Sequence, residues 1–325
     1  LSVRCGGSCG GVCGGSAGCV VMHCLELFAG CGGAALGLHA AGLHHVLLVE
    51  RDLAAATTLI TNGIGPVLCA DVSGVDFSPW AGVDVLWASP PCQPYSSAGK
   101  GLGADDPRDG WPMVVRAIEQ AAPTWVVVEN VRGCPADVWA DALRVLGYAW
   151  VEHRLLDAAD YGLPQHRRRV FLVAGPRAIA WPLATHADPE IIRGSTLFPD
   201  MRHPWVGIGQ VLTIAGQDMP GNGGHLPAPR SIERPSHTVS ASCPLYHLPG
   251  PTISTAASQG VGSADSRDLL ESQIGRRKLT PAECKILQGF PAEYRITGTI
   301  TQQYRQIGNA VPPVFAKIIG QAVMQ

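Results

Sequence analysis

Three short stretches of the sequence carry side chains suited to chemistry. In "ASPPCQPYSSAG" (residues 88–99) a single cysteine, Cys92, is bracketed by Pro90, Pro91 and Pro94. Each proline fixes φ and removes a backbone donor, so this stretch is stiff and cannot extend a strand ladder. The thiol is thereby held at the exit of "VDVLWA" (Val83–Ala88), which reads as a buried strand. A free thiol with a pKa of ~8.5 is only a few per cent ionised at neutral pH, so a nucleophile there needs a cation or a helix dipole beside it. The competing reading is an inert buried cysteine, a common fate of this residue type. The second stretch is "TWVVVEN", which ends an apolar run on Glu129. An acid at a water-poor sheet edge has its pKa raised by desolvation and becomes available as a proton donor. The third is "QHRRR" (Gln165–Arg169). Alternation along an extended chain would put Gln165, Arg167 and Arg169 on one wall, although a basic run is more often a solvated face.

A fourth set of residues points to a nucleoside. "FAGCGG" (Phe28–Gly33) turns from one apolar run into a helical pattern, and its glycines Gly30, Gly32 and Gly33 allow a ligand to approach the backbone. Glu50 closes "HVLLVE", where a carboxylate can accept both hydroxyls of a ribose. Asp71 closes "PVLCAD", where it can accept from an adenine amino group. Either acid can instead cap the helix that follows it. With no phosphate-binding lysine in view, the set suggests S-adenosylmethionine, with NAD as the alternative. Thiol, acid and arginine beside such a site suit methylation of an electron-poor ring, in which thiolate addition at cytosine C6 makes C5 nucleophilic.

These residues need a scaffold, and the pattern predicts one. Between Met22 and about Val173, apolar runs alternate with helical stretches, as in an α/β fold with a mostly parallel sheet covered on both faces. The expected strands are "CLELFAG", "HVLLVE", "PVLCAD", "VDVLWA", "TWVVVEN" and "RRVFLVAG", with a helix over "AALGLHAAG". In open sheets of this kind ligands bind at the carboxyl ends of the strands, where the glycine turn, Glu50, Asp71, Cys92 and Glu129 fall. Residues 177–275 are rich in Pro, Gly, Ser, Thr and His and read as a smaller, loop-rich domain. Order returns in "KLTPAECKILQGF", a helix with Thr280 and Glu283 at capping-box positions, and in "VPPVFAKIIGQAVM", an amphipathic helix entered through two prolines. The expected division is 1–21 as a disordered extension or upstream leader, 22–176 as the cofactor-binding catalytic domain, 177–291 as the recognition domain with the block after it, and 292–325 returning to the catalytic domain.

Composition excludes some classes. The chain has 325 residues, 46% hydrophobic and 15% charged, and lacks an apolar run long enough to span a bilayer. Its net charge of −2 is unlike that of a basic nucleic-acid coat protein but leaves room for a local basic cleft. Five of the 11 cysteines precede Leu25, without the CxxC pairs of a zinc site, so no metal is expected. The remainder are scattered, as in a reduced cytoplasmic protein.

From Met22 onward the chain resembles the bacterial and phage DNA (cytosine-5) methyltransferases. "ELFAGCGG" is similar to the family's cofactor motif, "PPCQPYSS" to its catalytic loop, "VVENV" to its acid motif and "QHRRR" to its Q-x-R-x-R. "RKLTPAECKILQGFP" and "QIGNAVPP" resemble its last two blocks. The resemblance implies a Rossmann-like fold that binds S-adenosylmethionine and a loop-rich target-recognition domain over about 177–275. It implies Cys92 as nucleophile, Glu129 as acid, and Gln165, Arg167 and Arg169 as supporting catalytic residues. Phe28 would stack on adenine, and Pro91, Asn309, Ala310 and Val311 would join Gly30, Gly32, Gly33, Glu50 and Asp71 around the cofactor. The substrate would be a cytosine flipped out of double-stranded DNA, a step general to methyltransferases of bases. A monomer is expected, with a separate cognate restriction endonuclease as a further partner. Arg193, Arg202, Gln217, Asn222, Arg230 and Arg234 are residues of the recognition region with no assignable base. The rivals are a tRNA methyltransferase, whose typical Cys-Phe-Thr does not occur here, and a catalytically inert DNA-binding relative, which would have lost Cys92 or Glu129. A nicotinamide oxidoreductase would leave PCQ, Q-x-R-x-R and GNAVPP unexplained.

Overall fold

The computed structural model describes residues 21–95, 105–194, 200–212, 235, 248–249, 276–277 and 279–325. The apolar runs of the first half become strands β1 (His23–Leu27), β2 (His44–Glu50), β3 (Val67–Cys69), β4 (Val85–Ala88), β5 (Trp125–Val131), β6 (Trp150–Asp157) and β7 (Arg168–Gly175). Between them lie helices α1 (Gly33–Ala41), α2 (Leu53–Asn62), α3 (Trp111–Ala121) and α4 (Ala136–Val145). The seven strands form one sheet in the order β3-β2-β1-β4-β5-β7-β6. Strands β1 to β5 run parallel, whereas β7 is antiparallel to both of its neighbours, β5 and β6. The mostly parallel α/β architecture is therefore present, with an antiparallel hairpin at one edge.

The strand order turns back on itself between β1 and β4. That is the switch point at which open α/β sheets leave a crevice outside their carboxyl ends. The loop after β1 is the glycine turn, and the loop after β4 carries Cys92. Both loops therefore border the same crevice.

The faces of the sheet are buried because their strands are apolar on both sides. Leu27, Phe77, Leu86 and Val128 pack with α3 and α4 on one face. On the other, Trp87, Val127 and Phe171 pack with α1 and with the last helix, through Phe315 and Ile319. Beyond the sheet the described elements are short: β8 (His186–Ala187), α5 (Pro189–Gly194), β9 (His203–Pro204), α6 (Ile208–Val211), β10 (Leu248–Pro249) and β11 (Arg276–Arg277). Helices α7 (Pro281–Leu287), α8 (Ile300–Asn309) and α9 (Pro313–Met324) complete the chain.

Helix α7 starts with the expected capping box, Thr280 Oγ1 accepting from the Glu283 amide while the Glu283 carboxylate accepts from the Thr280 amide. Helix α9 lies against α1 so closely that a β-carbon on Gly37 would sit 2.1 Å from the Pro313 carbonyl oxygen.

Three features depart from the sequence reading. Strand β3 stops at Cys69, leaving Asp71 beyond it as the cap of a single 3-10 turn, Val72–Gly74. Strand β6 was not anticipated, because on an outer strand only Val151 and Leu156 are buried. Helix α8, capped by Thr299 and Gln302, is mostly polar and was also missed. Gln217, Asn222, Arg230 and Arg234 lie outside the described residues, as do residues 1–20 and 96–104.

Candidate active site

A cavity of about 470 Å³ opens at the carboxyl ends of β1, β2, β4 and β5, a size within the ~300–1,000 Å³ typical of small-molecule sites. Phe28, Gly30, Glu50 and Asp71 line one side of it. Pro91, Cys92, Glu129 and Arg169 line another, and Asn309, Ala310 and Val311 close it from the C-terminal segment.

The glycine turn is built to expose backbone. Phe28 has φ of 57°, which is unfavourable for a bulky residue, and Gly30 follows with φ of 55°. A β-carbon on Gly30 would meet nothing within 4 Å, so the space above it is open. Glu50 secures the turn: Oε2 accepts from the Gly30 amide at 2.8 Å, and Oε1 accepts from the Asp52 amide at 2.7 Å. Each carboxylate oxygen keeps a lone pair for a further donor such as a ribose hydroxyl. Burial raises the Glu50 pKa against these two amides. Asp71 accepts from the Ser73 amide and hydroxyl and pairs with Arg51 at 3.3 Å, contacts that lower its pKa. The capping role and the cavity-facing role thus coexist in one side chain.

Gly32 and Gly33 stand apart from the cavity wall. A β-carbon on Gly32 would lie 2.6 Å from the Tyr294 hydroxyl, and one on Gly33 2.1 Å from the Val311 carbonyl oxygen. These glycines let the C-terminal segment close onto the turn rather than leaving room for a ligand.

Cys92 follows β4 and is half-buried. Its loop is tied down by the Asn130 amide, which donates to the Pro90 carbonyl at 3.1 Å, and by the Tyr95 N–H, which donates to the Cys92 carbonyl. Tyr95 packs edge-on against Trp139, which stacks with Trp111. On the neighbouring strand, Glu129 is buried and pairs with Arg169 across the antiparallel β5–β7 ladder, Oε1 lying 3.1 Å from Nε. Burial raises the Glu129 pKa against the pull of Arg169 and Arg167. It also raises the Cys92 thiol above its ordinary value, aided by Glu129, and the two arginines only partly oppose this. The cations expected to ionise the thiol are therefore nearby, yet desolvation prevails and the resting thiol is protonated.

The single wall expected from Gln165, Arg167 and Arg169 does not form. Residues 165–167 precede β7 in irregular backbone, so strand alternation does not reach back to them. Arg169 faces Glu129. Arg167 is buried at the cavity edge and donates through Nη2 to the carbonyls of Gly308 and Ala310 at 2.8 and 2.9 Å. Gln165 lies behind the cavity, its amide donating to the Leu287 carbonyl and to Gln288 Oε1, both at 3.0 Å.

The C-5 cytosine-specific DNA methylase family model matches residues 22–190 and 228–325, most of the chain and both halves of this site. The chain belongs to that family. The Type II methyltransferase M.NaeI of Lentzea aerocolonigenes is 35% identical over 324 residues, covering 92% of this chain and 74% of that protein. M.NgoMIV of Neisseria gonorrhoeae is 32% identical, covering 93% and 96%. Among solved structures, a mutant DNMT2 of Spodoptera frugiperda shares the fold with a TM-score of 0.64 at 20% identity, covering 94% of this chain and 100% of that one.

The chain is thus an enzyme of the DNA cytosine-5 methyltransferase class, and its family and fold are those of S-adenosylmethionine-dependent methyltransferases. The residues present fit that cofactor. Open space over Gly30, a buried acid at the end of β2 and a second acid after β3 suit an uncharged nucleoside bearing a cationic chain.

Other participants escaped the sequence reading. Asn130 holds the Cys92 loop. Gly110 lies where a β-carbon would come within 2.8 Å of both Pro90 and Pro91 and 3.2 Å of Phe28. Position supplies a signal for Asn130, which directly follows the acid at a strand end. Nothing in the local sequence marks Gly110.

Proposed function

We propose that this protein transfers the methyl group of S-adenosylmethionine to C5 of a cytosine flipped out of a specific duplex DNA sequence, by covalent addition of Cys92 at C6. The observation that carries the proposal is the placement of Cys92 and of the Glu129–Arg169 pair on adjacent strand ends, facing one cavity with the glycine turn. When bound, the cofactor supplies an electrophilic sulfonium methyl. Phe28, Glu50 and Asp71 would hold its adenosine part, with Asn309, Ala310 and Val311 closing over it.

The protein's own groups then handle the base. Glu129, kept protonated more readily by burial, gives its proton to N3 and draws electron density from C6. The Cys92 sulfur forms a bond to C6 as its thiol proton passes to solvent, and C5 gains nucleophilic character. After C5 has taken the methyl group it loses its proton to solvent. The C6–S bond breaks, the sulfur leaves as thiolate, and N3 returns its proton to Glu129, which restores the ring and the acid. Arg169 orients the Glu129 carboxyl throughout. The relatives named Type II methyltransferases favour a restriction-modification setting with a separate endonuclease that reads the same sequence. The enzyme is proposed to act as a cytoplasmic monomer; no helix among the described residues is long and apolar enough to cross a membrane.

The test is transfer of labelled methyl from S-adenosylmethionine to mixed-sequence duplex DNA, with tRNA and the Cys92→Ala protein run in parallel. Label recovered as 5-methylcytosine in DNA, and absent with the variant, is the expected result. Label only in tRNA, or none from folded protein with cofactor bound, would overturn the proposal.

A further inference from the structure

The hydrogen bonds around the Ala310 carbonyl oxygen single out a residue to which the proposed chemistry assigns no role. Gln288, at the end of α7, is fully buried. Its amide nitrogen donates to the Ala310 carbonyl at 2.6 Å, and its Oε1 accepts from Gln165 at 3.0 Å. The same Ala310 oxygen accepts from Arg167 at 2.9 Å. Both lone pairs of this carbonyl are thus taken by donors from two distant stretches of the chain. The arrangement has little slack, because the next carbonyl, that of Val311, presses against Gly33. Ala310 and Val311 are themselves cavity wall.

Gln288 also sits where three parts of the chain meet. Helix α7 packs through Cys284 and Leu287 with Ile208 and Leu212, which lie within the segment expected to read DNA, with Leu279 just after it, and with Ile307 of α8. Through Gln165, and through the Ala310 carbonyl it shares with Arg167, Gln288 adjoins the stretch that leads into β7 and Arg169. A buried amide with both its donor and its acceptor engaged fixes position strongly, since each unmade bond leaves a desolvated group without a partner.

We infer that Gln288 is a positioning residue that sets the Ala310–Val311 wall of the cofactor cavity and joins it to the stretch that carries Gln165 and Arg167 and leads into β7. The inference rests on the reading of the cavity as a cofactor site. It implies that loss of the Gln288 amide weakens cofactor binding directly, beyond any effect on folding.

The experiment compares wild type, Gln288→Leu and Gln288→Glu by calorimetric titration with S-adenosylmethionine and with S-adenosylhomocysteine from pH 5.5 to 8, alongside thermal melting. Gln288→Leu removes both hydrogen bonds and is expected to bind roughly tenfold more weakly, as loss of a buried donor implies. Gln288→Glu keeps the shape and the acceptor for Gln165. At low pH its neutral carboxyl can donate to the Ala310 oxygen, whereas at high pH a carboxylate opposes it. Its dissociation constant relative to wild type is therefore expected to approach one at pH 5.5 and to rise severalfold by pH 8. A merely structural glutamine would give no such profile in folded protein. Wild-type affinity in both variants, or a relative affinity of Gln288→Glu flat with pH, would overturn the inference. Should Gln288→Leu fail to fold, the Gln288→Glu profile decides alone. Failure of wild type itself to bind would instead refute the cofactor reading.

Discussion

At the scale of single residues, the site resolves a tension between burial and charge. Cys92 and Glu129 both carry raised pKa values for the same first cause, desolvation; Glu129 adds to the shift of Cys92, while Arg169 and Arg167 oppose both. The raised thiol pKa implies that single-turnover methyl transfer accelerates as pH rises from about 6.5 to 8.5, because the thiolate fraction grows roughly tenfold per unit below the pKa. A rate flat over that range would show that thiol ionisation does not limit addition. Glu129→Gln is expected to slow transfer by about 10²–10⁴, the usual loss when a general acid is removed. The same substitution bears on stability. A buried acid with a raised pKa contributes stability that is full below its unfolded pKa and is lost as pH rises through the folded value. The Glu129→Gln melting temperature should therefore gain on wild type as pH rises above about 4.5, the ordinary carboxyl value. A variant that instead falls further behind with rising pH would mean that the Arg169 ion pair outweighs desolvation. The identities of Cys92 and Glu129 were legible in the sequence because each ends an apolar run. The inward turn of Arg167 and the withdrawal of Gln165 were not, since both depend on carbonyls more than 100 residues away.

At the scale of elements, the strands that carry chemistry are the ones the sequence announces. β2, β4 and β5 are largely apolar because helices cover both of their faces, and β2 and β5 turn abruptly polar at Glu50 and Glu129, whereas β1 buries Glu26 among its apolar residues. β6 and α8 lack such marks: one is an outer strand, the other a helix with a polar face, and tertiary packing decides both. The close seam between α1 and α9 is equally hidden, since it appears only as Gly37 in an otherwise ordinary helical pattern. That seam makes a specific prediction. Gly37→Ala improves local helix propensity by up to about 1 kcal/mol, yet its β-carbon would meet the Pro313 carbonyl at 2.1 Å. Overpacking of this kind costs about 1–3 kcal/mol, so chemical denaturation should show net destabilisation. Asn130→Ala acts differently, releasing the Pro90 carbonyl and loosening the Cys92 loop. Turnover should fall at least tenfold while cofactor affinity stays within about twofold, a split visible by comparing single-turnover rates with titration. Equal loss of both would mean that Asn130 supports the whole crevice rather than the loop.

At the scale of the whole molecule, a net charge of −2 has to be reconciled with a polyanionic substrate. The arginines around the cavity are internally matched: Arg51 with Asp71, Arg108 with Asp106, Arg305 with Asp52 and Arg169 with Glu129, while Arg167 holds backbone carbonyls. Such pairs suppress binding of arbitrary anions in the cofactor cavity and leave little unmatched charge there for phosphates. An arginine that leaves its carboxylate for a phosphate exposes an acid near the DNA, so each exchange yields less than an unpaired cation would. Duplex affinity should consequently draw on few phosphate contacts. Because log K falls with log salt by about 0.9 per phosphate neutralised, a slope of roughly −3 to −5 is expected from fluorescence anisotropy titrations across salt. A slope near −10 would place the main contact on a basic surface other than these arginines. The Cys92→Ala protein suits the measurement, since it should keep duplex binding while turnover is abolished, and the slope then reports on recognition alone.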